Sequence, residues 1–397
     1  MEYKRIESLD VLRGVAILGI LIINIHYFST LTIERYKPII HGDFSGANKW
    51  LWIISYTFVK QRFMTLFSIL FGAGVFLMYT VNKKKGREAT KLHYVRMFWL
   101  LVFGCIHAYL IWWGDILVNY ALCGLVVYGV RNLSPKIIFW IGGSILIGLL
   151  LPDIYKFYIQ KATVDIPEEF WNPSKESITN QLKEFSGSWW EETPKRINKA
   201  LYYQTTSFYT YSFWRVSGLM MIGMGLVKTG FITGKLSKKR YYNDLIISSA
   251  IGLPMSMLSV YLYLDSNFDY AMFSTSVYIL FYISSMVMAY TYICILILCI
   301  QSSLFKKARK GLSNLGRMAF TNYILQNVIC SLLFYGYGLG YYGKVDRVFL
   351  LYTVLVIWGV QLLYTTIWLH FFRYGPLEWL WKSLTYGKKL PFKKGKE

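Results

Sequence analysis

Long apolar runs recur along almost the whole chain, and they constrain the fold before any motif is considered. A helix needs about 20 residues to cross the hydrocarbon core of a bilayer. On that ruler ten segments qualify: 11–30, 62–81, 96–113, 115–131, 136–158, 206–231, 244–264, 272–301, 317–340 and 348–372. Apolar surroundings leave backbone groups no water to bond, so such segments satisfy them internally as helices. The expected fold class is all-α: a polytopic membrane bundle of about ten transmembrane helices, forming a single membrane domain over 1–397. The composition agrees, with 55% hydrophobic residues and only 16% charged ones.

The net charge of +22 raises the question of nucleic acid, and its distribution answers it. Basic residues fall in short clusters between apolar runs, as the positive-inside rule expects. Residues up to Arg13, then 83–96, 131–136, 228–240, 306–317 and 373–397 hold 28 Lys and Arg, against 5 in the short loops 31–49, 265–271 and 341–347. The ratio predicts an even number of spans with both termini in the cytoplasm and 373–397 as a basic cytoplasmic tail. No nucleic-acid motif accompanies the charge. The expected partners are the lipid bilayer and a small-molecule substrate, and the sequence permits a homo-oligomer. The first apolar run starts near Val11 with no small-residue cleavage site after it, so it reads as helix one of the mature protein. Cys105, Cys123, Cys294, Cys299 and Cys330 all sit in apolar segments without CxxC spacing and read as small hydrophobes. No metal site is expected.

One long external loop, 156–205, departs from the pattern. It carries mixed charge, Trp171, Trp189 and Trp190, and is broken by Pro167, Pro173 and Pro194. It is expected to form short amphipathic helices lying over the external face. A straight helix from 49 to 81 would run about 50 Å, longer than the bilayer needs. A bend near Lys60 is therefore predicted.

Polar groups inside the bundle are costly and are the default functional candidates. Three cations fall in spans rather than loops: Lys60, Arg62 and Arg215. They suit either an outward-facing pocket for an anionic group or snorkelling toward the interface. Asp115, in the turn Trp113-Gly114-Asp115, is the acid read as embedded. In helix one, Asp10 and Arg13 are three apart and can pair. Asn24, 11 residues after Arg13, returns to nearly the same face, so a polar line of about 16 Å runs from the cytoplasmic mouth to mid-membrane. His107 lies well inside span three and suits a general base if a partner fixes its tautomer. Asp115 is that partner if the chain turns back at Gly114. His41, in the first external loop, is a second candidate; His93 and His370 read as boundary residues. In span nine, Asn322 and Gln326 share one face and Asn327 and Ser331 the next, as interhelical hydrogen bonds or substrate contacts.

These residues carry a resemblance. The stretch from Arg5 to Asn24, containing Leu9-Asp-Val-Leu-Arg-Gly14, resembles the opening of the bacterial YeiB-like membrane proteins. So do Leu66-Phe-Ser-Ile-Leu-Phe-Gly-Ala-Gly74, Gly104-Cys-Ile-His107 with Trp113-Gly-Asp-Ile-Leu117, Gly316-Arg-Met-Ala-Phe-Thr-Asn-Tyr-Ile-Leu-Gln326 and Phe372-Arg-Tyr-Gly-Pro-Leu-Glu-Trp-Leu-Trp381. That family is similar at fold level to transmembrane acyltransferases, including the lysosomal heparan glucosaminide N-acetyltransferase and the bacterial O-acyltransferases of the OafA type. The resemblance implies acyl transfer from cytoplasmic acyl-CoA to an acceptor across the membrane, with no bound cofactor and acyl-CoA as donor substrate. Asn24 stands where the OafA type has a functional histidine, so the expected base is His107, the embedded histidine of the YeiB-like pattern.

Two functions are thus expected of a bacterial plasma-membrane protein. In the first, an acyltransferase, His107, Asp115 and Asn24 are catalytic. Asp10, Arg13, Lys60, Arg62, Arg215, Asn322 and Gln326 contact substrate. The alternative is a permease for an anionic solute, motivated by the outer-half cations and the polar faces of spans one and nine.

Overall fold

The computed structural model describes residues 6–159, 168–302 and 305–394. Arg5 and Pro167 lie outside the described residues. The described chain is α-helical, with no strand beyond one isolated bridge between Phe372 and Lys393. In order the helices are α1 (Glu7–Ser29), α2 (Gly46–Phe58), α3 (Arg62–Lys84), α4 (Ala89–Ile106), α5 (Leu117–Val127) and α6 (Pro135–Gly148). There follow α7 (Leu151–Tyr158), α8 (Glu168–Trp171), α9 (Lys175–Glu184), α10 (Trp189–Gln204), α11 (Phe213–Lys228) and α12 (Lys238–Asp265). The last are α13 (Tyr270–Met272), α14 (Tyr278–Gln301), α15 (Lys306–Arg317), α16 (Ala319–Phe334), α17 (Arg347–Phe371) and α18 (Pro376–Tyr386).

Every one of the ten expected segments is largely helical, and the all-α membrane bundle stands. By length and composition, 7 described helices are long and apolar enough to cross a membrane: Glu7–Ser29, Gly46–Lys84, Ala89–Ile111, Pro135–Tyr158, Lys238–Asp265, Tyr270–Gln301 and Arg347–Phe371. The segments expected at 115–131, 206–231 and 317–340 are built around shorter helices, α5, α11 and α16. The expected bend lies between α2 and α3. Gln61 takes a left-handed conformation there (φ 63°), which ends one helical path and starts another.

Helix α1 is the spine. It is buried along most of its length, and at about 1.5 Å per residue its 23 residues span about 34 Å. Its close neighbour is α15, and glycine makes the approach possible. A Cβ on Gly14 would overlap the Leu312 carbonyl, and one on Gly316 would overlap the Asp10 carbonyl. The two backbones therefore touch, as small residues allow between membrane helices. Beyond Gly316 the chain kinks at Met318 into α16, whose first N–H groups are capped by Glu378 of α18 (Phe320 N and Thr321 N to Oε1, 2.7 and 3.0 Å).

The segment expected to lie over one face does so as α8, α9 and α10. A reciprocal cap starts α10: Ser188 N donates to Glu191 Oε2 at 2.7 Å, and Glu191 N to Ser188 Oγ at 3.4 Å. This layer is tied down by Trp171 Nε1 donating to the Phe268 carbonyl (3.1 Å) and Gly336 N to that of Phe185 (2.7 Å). The side carrying it is called the loop face below; the opposite one, where α1 begins among Arg96, Arg317 and Arg373, is the basic face.

Overfilling the α1–α15 contact is expected to cost about 1–3 kcal/mol. Gly316→Ala should therefore lower the thermal unfolding midpoint in detergent by several degrees. Gly359→Ala on α17, where a Cβ meets open space, should leave it nearly unchanged.

Candidate active site

His107 does not sit in a regular α-helix. Helix α4 ends at Ile106, and His107–Ile111 form a single π-turn, closed by Trp112 N donating to the His107 carbonyl at 2.9 Å. Such a turn holds one extra residue and re-aims the side chains that follow it. The chain then reverses at Gly114, which packs against the Trp112 ring too closely to admit a side chain. That reversal returns Asp115 to the histidine: Nδ1 lies 2.8 Å from Asp115 Oδ1, with both side chains buried. The other Asp115 oxygen accepts from Val118 N at 2.7 Å and so caps the start of α5. The carboxylate is thus held by a helix N-terminus on one side and holds the imidazole on the other.

The second ring nitrogen also has a partner. Asn327 Nδ2 on α16 lies 2.9 Å from His107 Nε2. With the amide donating, Nε2 is an unprotonated acceptor and Nδ1 carries the proton that Asp115 accepts. This is the tautomer a general base requires. Tyr323, one turn before Asn327, packs its ring 5.3 Å from the imidazole. The π-turn itself is braced from the loop face. Arg196 Nε donates to the Tyr109 carbonyl (2.9 Å) and Trp189 Nε1 to that of Leu110 (3.0 Å), both from α10.

A cavity of about 410 Å³ opens toward this centre from the basic face. Its mouth is lined by Asp10, Arg13, Arg96, Arg317, Arg373 and Lys382. Its barrel is apolar, with Phe67, Leu70, Phe71, Val75, Met97 and Leu100. Its inner end is formed by Ile116, Tyr120 and Tyr323, the layer that touches His107 and Asp115. Asp10 and Arg13 pair at 3.6 Å. The Arg96 guanidinium stacks 3.9 Å from the Trp381 ring, so α18 forms one wall.

The remaining sequence candidates fall elsewhere. Asn24 is buried in α1 and does not line the cavity; above Arg13, α1 is met by α16 and α17, with Gln326 Nε2 donating to the Ile17 carbonyl (3.3 Å) and Trp358 Nε1 to that of Leu18 (3.2 Å). Asn322 and Gln326 are engaged in bonds between helices rather than at the cavity. Asn322 Nδ2 donates to the Leu315 carbonyl (3.2 Å), Gln326 Nε2 to Gln361 Oε1 (2.9 Å), and Gln361 Nε2 to the Asn322 carbonyl (3.1 Å). Arg62 is fully buried and donates to Ser256 and Ser284 (2.6 and 3.2 Å). Arg215 donates to Ser285 and Thr65 (2.9 and 3.3 Å) and stacks on Tyr282; its partner is not Asp115. Neither guanidinium snorkels. Lys60 reaches the Arg35 carbonyl (3.2 Å) on the loop face, away from the cavity. His41 pairs with Glu34 (3.7 Å), whose carboxylate raises its pKa; Glu34 also holds Arg347 (3.3 Å). His93 lines the cavity wall, where it stacks on Tyr128 and bonds the Gly124 carbonyl.

Tyr323, Arg96, Arg317 and Arg373 are the site residues that the sequence did not single out; Asn327 reads from the sequence as an interhelical hydrogen bond or substrate contact, without His107 as its partner. The available signal was the four-residue spacing of Tyr323 and Asn327, which puts both on one face of α16.

The chain is similar to bacterial proteins along nearly its whole length. Residues 226–388 match the family described as "Protein of unknown function (DUF418)". The chain is 29% identical to "Uncharacterized protein YeiB" of Escherichia coli (strain K12), over 96% of each chain. It is 28% identical to "Uncharacterized protein YxaH" of Bacillus subtilis (strain 168), over 96% of this chain and 94% of that one. A third relative, "Uncharacterized 39.9 kDa protein in amylase 3'region" of Bacillus acidopullulyticus, is 26% identical over 99% and 97%. The YeiB-like resemblance is borne out across nearly the whole length. The names of these relatives state no activity.

The brace over the π-turn yields a pH prediction. Glu192, one turn before Arg196 on α10, is buried, and burial pushes its carboxyl from 4.5 up to about 7. The folded chain therefore binds more protons than the unfolded chain between those values, and stability falls as pH rises through that window. Glu192→Gln removes the penalty. It is expected to raise stability at pH 8 relative to the parent by about 1–3 kcal/mol, read as a higher thermal midpoint, and to change little at pH 4.

Proposed function

We propose that the chain is a transmembrane acyltransferase that draws acyl-CoA into the cavity from the basic face. The observation that carries this reading is the cavity itself: cationic at its mouth, apolar along its barrel, and ending one aromatic ring from a carboxylate-oriented histidine. The mouth suits the phosphates of a CoA nucleotide through Arg and Lys donors. The barrel suits the pantetheine and acyl portions, and the volume leaves the nucleotide outside.

The chemistry follows from the tautomer. An acceptor hydroxyl or amine approaching from the loop face gives its proton to His107 Nε2 as its oxygen or nitrogen bonds to the thioester carbon. Collapse of the tetrahedral intermediate breaks the carbon–sulfur bond. The proton held at Nε2 then passes to the departing thiolate, leaving an acylated acceptor and free CoA. Asp115 stabilises the imidazolium formed between these steps. The Asn327 amide, which occupies Nε2 at rest, is the donor placed to meet the developing oxyanion once substrate displaces it. Lys60 lies outside the cavity and takes no part in these steps.

The 28-to-5 distribution of basic residues supports placing the basic face, with both termini, in the cytoplasm, where acyl-CoA is supplied. The relatives' bacterial sources support the bacterial plasma membrane as the location.

Purified protein incubated with acetyl-CoA should release free thiol, measured with a chromogenic disulfide. His107→Ala should lower that rate about 10²–10⁴-fold. Asp115→Asn should lower turnover while leaving acetyl-CoA binding intact, and Arg96→Gln should raise KM more than it lowers kcat. Unchanged turnover in His107→Ala removes the histidine from the mechanism, and absence of acyl-CoA binding removes the class. Solute flux in proteoliposomes without chemical change would assign the break at Lys60 and the cavity to a permease instead.

A further inference from the structure

The loop face carries a second cationic cluster that the acyl-transfer reading does not use. Three elements contribute to it. Arg35 comes from a 3-10 turn after α1 (Ile33–Arg35), Lys60 from the break between α2 and α3, and Lys199 from α10. Their surroundings are aromatic. The Arg35 guanidinium lies 4.4 Å from the Tyr27 ring and 6.0 Å from Trp113. Lys199 Nζ lies 5.7 Å from the same Trp113 ring, which stacks with Tyr203 at 5.1 Å. Lys60 Nζ is 4.6 Å from Tyr56 and 5.6 Å from Tyr36.

The charges in this cluster do not balance. Glu184 takes Lys199 at 2.7 Å, and Glu34 is shared by Arg347 and His41. That leaves Arg35 and Lys60 without a carboxylate among the described residues, although each lies within the other's field and both act on His26. Arg35 is partly buried and meets ring faces, so its hydrogen-bonding edges are unused by any described protein acceptor. Lys60 spends one of its donors, on the Arg35 carbonyl. Two neighbouring cations, mostly withdrawn from water and left with free donors, repel one another until an anion joins them. A carboxylate can bridge two basic groups, as Glu34 does, but it brings one negative charge to offset two cations, whereas a phosphate brings up to two. A phosphate has oxygens for the fork and for the ammonium together.

We propose that Arg35 and Lys60 form a binding site for a phosphate-class oxyanion on the loop face, floored by Tyr27 and Trp113. The site is separate from the basic-face cavity and stands whether or not that cavity takes acyl-CoA. Its position just beyond Trp113 puts the bound group on the far side of the His107–Asp115 turn from the cavity. The oxyanion belongs to a free phosphate compound or to the headgroup of an anionic lipid.

Thermal unfolding of the purified full chain separates these sources. Potassium phosphate, compared with acetate at matched ionic strength, is expected to raise the midpoint saturably by about 2–4 °C. The increment should vanish in Arg35→Gln and in Lys60→Gln, shrink in Arg35→Lys, and persist in Arg317→Gln at the cavity mouth. Protection by phosphatidylglycerol over phosphatidylcholine nanodiscs, lost in the same two variants, would support the site with a lipid headgroup as its ligand. The proposal is overturned if neither phosphate nor phosphatidylglycerol protects, or if Arg35→Gln keeps the full increment.

Discussion

The backbone contact between α1 and α15 is the constraint on which the rest of the structure depends. Helices in lipid gain little from burying apolar side chains against one another, so close approach and hydrogen bonding must hold them. Gly14 and Gly316 let two main chains meet where any side chain would separate them. That contact seats Asp10 and Arg13 beside the start of α16. It fixes the kink at Met318 and thereby the register of α16, which carries Tyr323 and Asn327 to His107. Higher up, α16 and α17 bond the Ile17 and Leu18 carbonyls of α1, and the cavity runs among α3, α4, α5 and α16 instead of along the spine.

Polar chemistry is then distributed in two layers. The basic-face cavity gathers cations from α1, α4, α15 and the segment leading to α18, elements distant in sequence and adjacent in space. The loop-face cluster gathers cations and aromatic rings from α1, the α2–α3 break, the Gly114 reversal and α10. His107 and Asp115 lie between the two, shielded by Tyr323 and Ile116 on one side and by Trp112 and Trp113 on the other. Two polar layers separated by the His107–Asp115 pair suit the proposed reaction, whose two substrates arrive from opposite sides of a membrane.

The sequence made much of this legible, for physical reasons that can be stated residue by residue. Apolar runs, the break near Lys60 and the amphipathic layer follow from hydropathy and reach; seven described helices have bilayer length, the break is present, and the layer is present over 168–204. The His107–Asp115 pair was legible because it is local: eight residues and one glycine decide it. Asn327 was not, because its contact with His107 spans 220 positions and depends on the kink after α15. Arg96, Arg317 and Arg373 were visible only as orientation signals; charge counting says which face they share and nothing about a mouth. Asn24 failed as a cavity residue because helical-wheel arithmetic places a side chain on a face without saying what covers that face. Arg62 and Arg215 read as snorkelling cations or anion contacts, whereas α14 supplies paired serines that accept from both.

The π-turn at His107 has a consequence for comparing this chain with its relatives. A π-turn is an α-helix with one residue inserted, and each residue in a helix corresponds to about 100° of rotation. Deleting any single residue between Gly104 and Ile111 would restore a regular helix and swing everything beyond the deletion by that angle. The Gly114 reversal would then deliver its aspartate to a different side of α4. A relative that lacks the extra residue is therefore expected to hold its histidine and aspartate apart. An alignment gap of one position in this stretch would separate two structural subclasses that overall identity would merge.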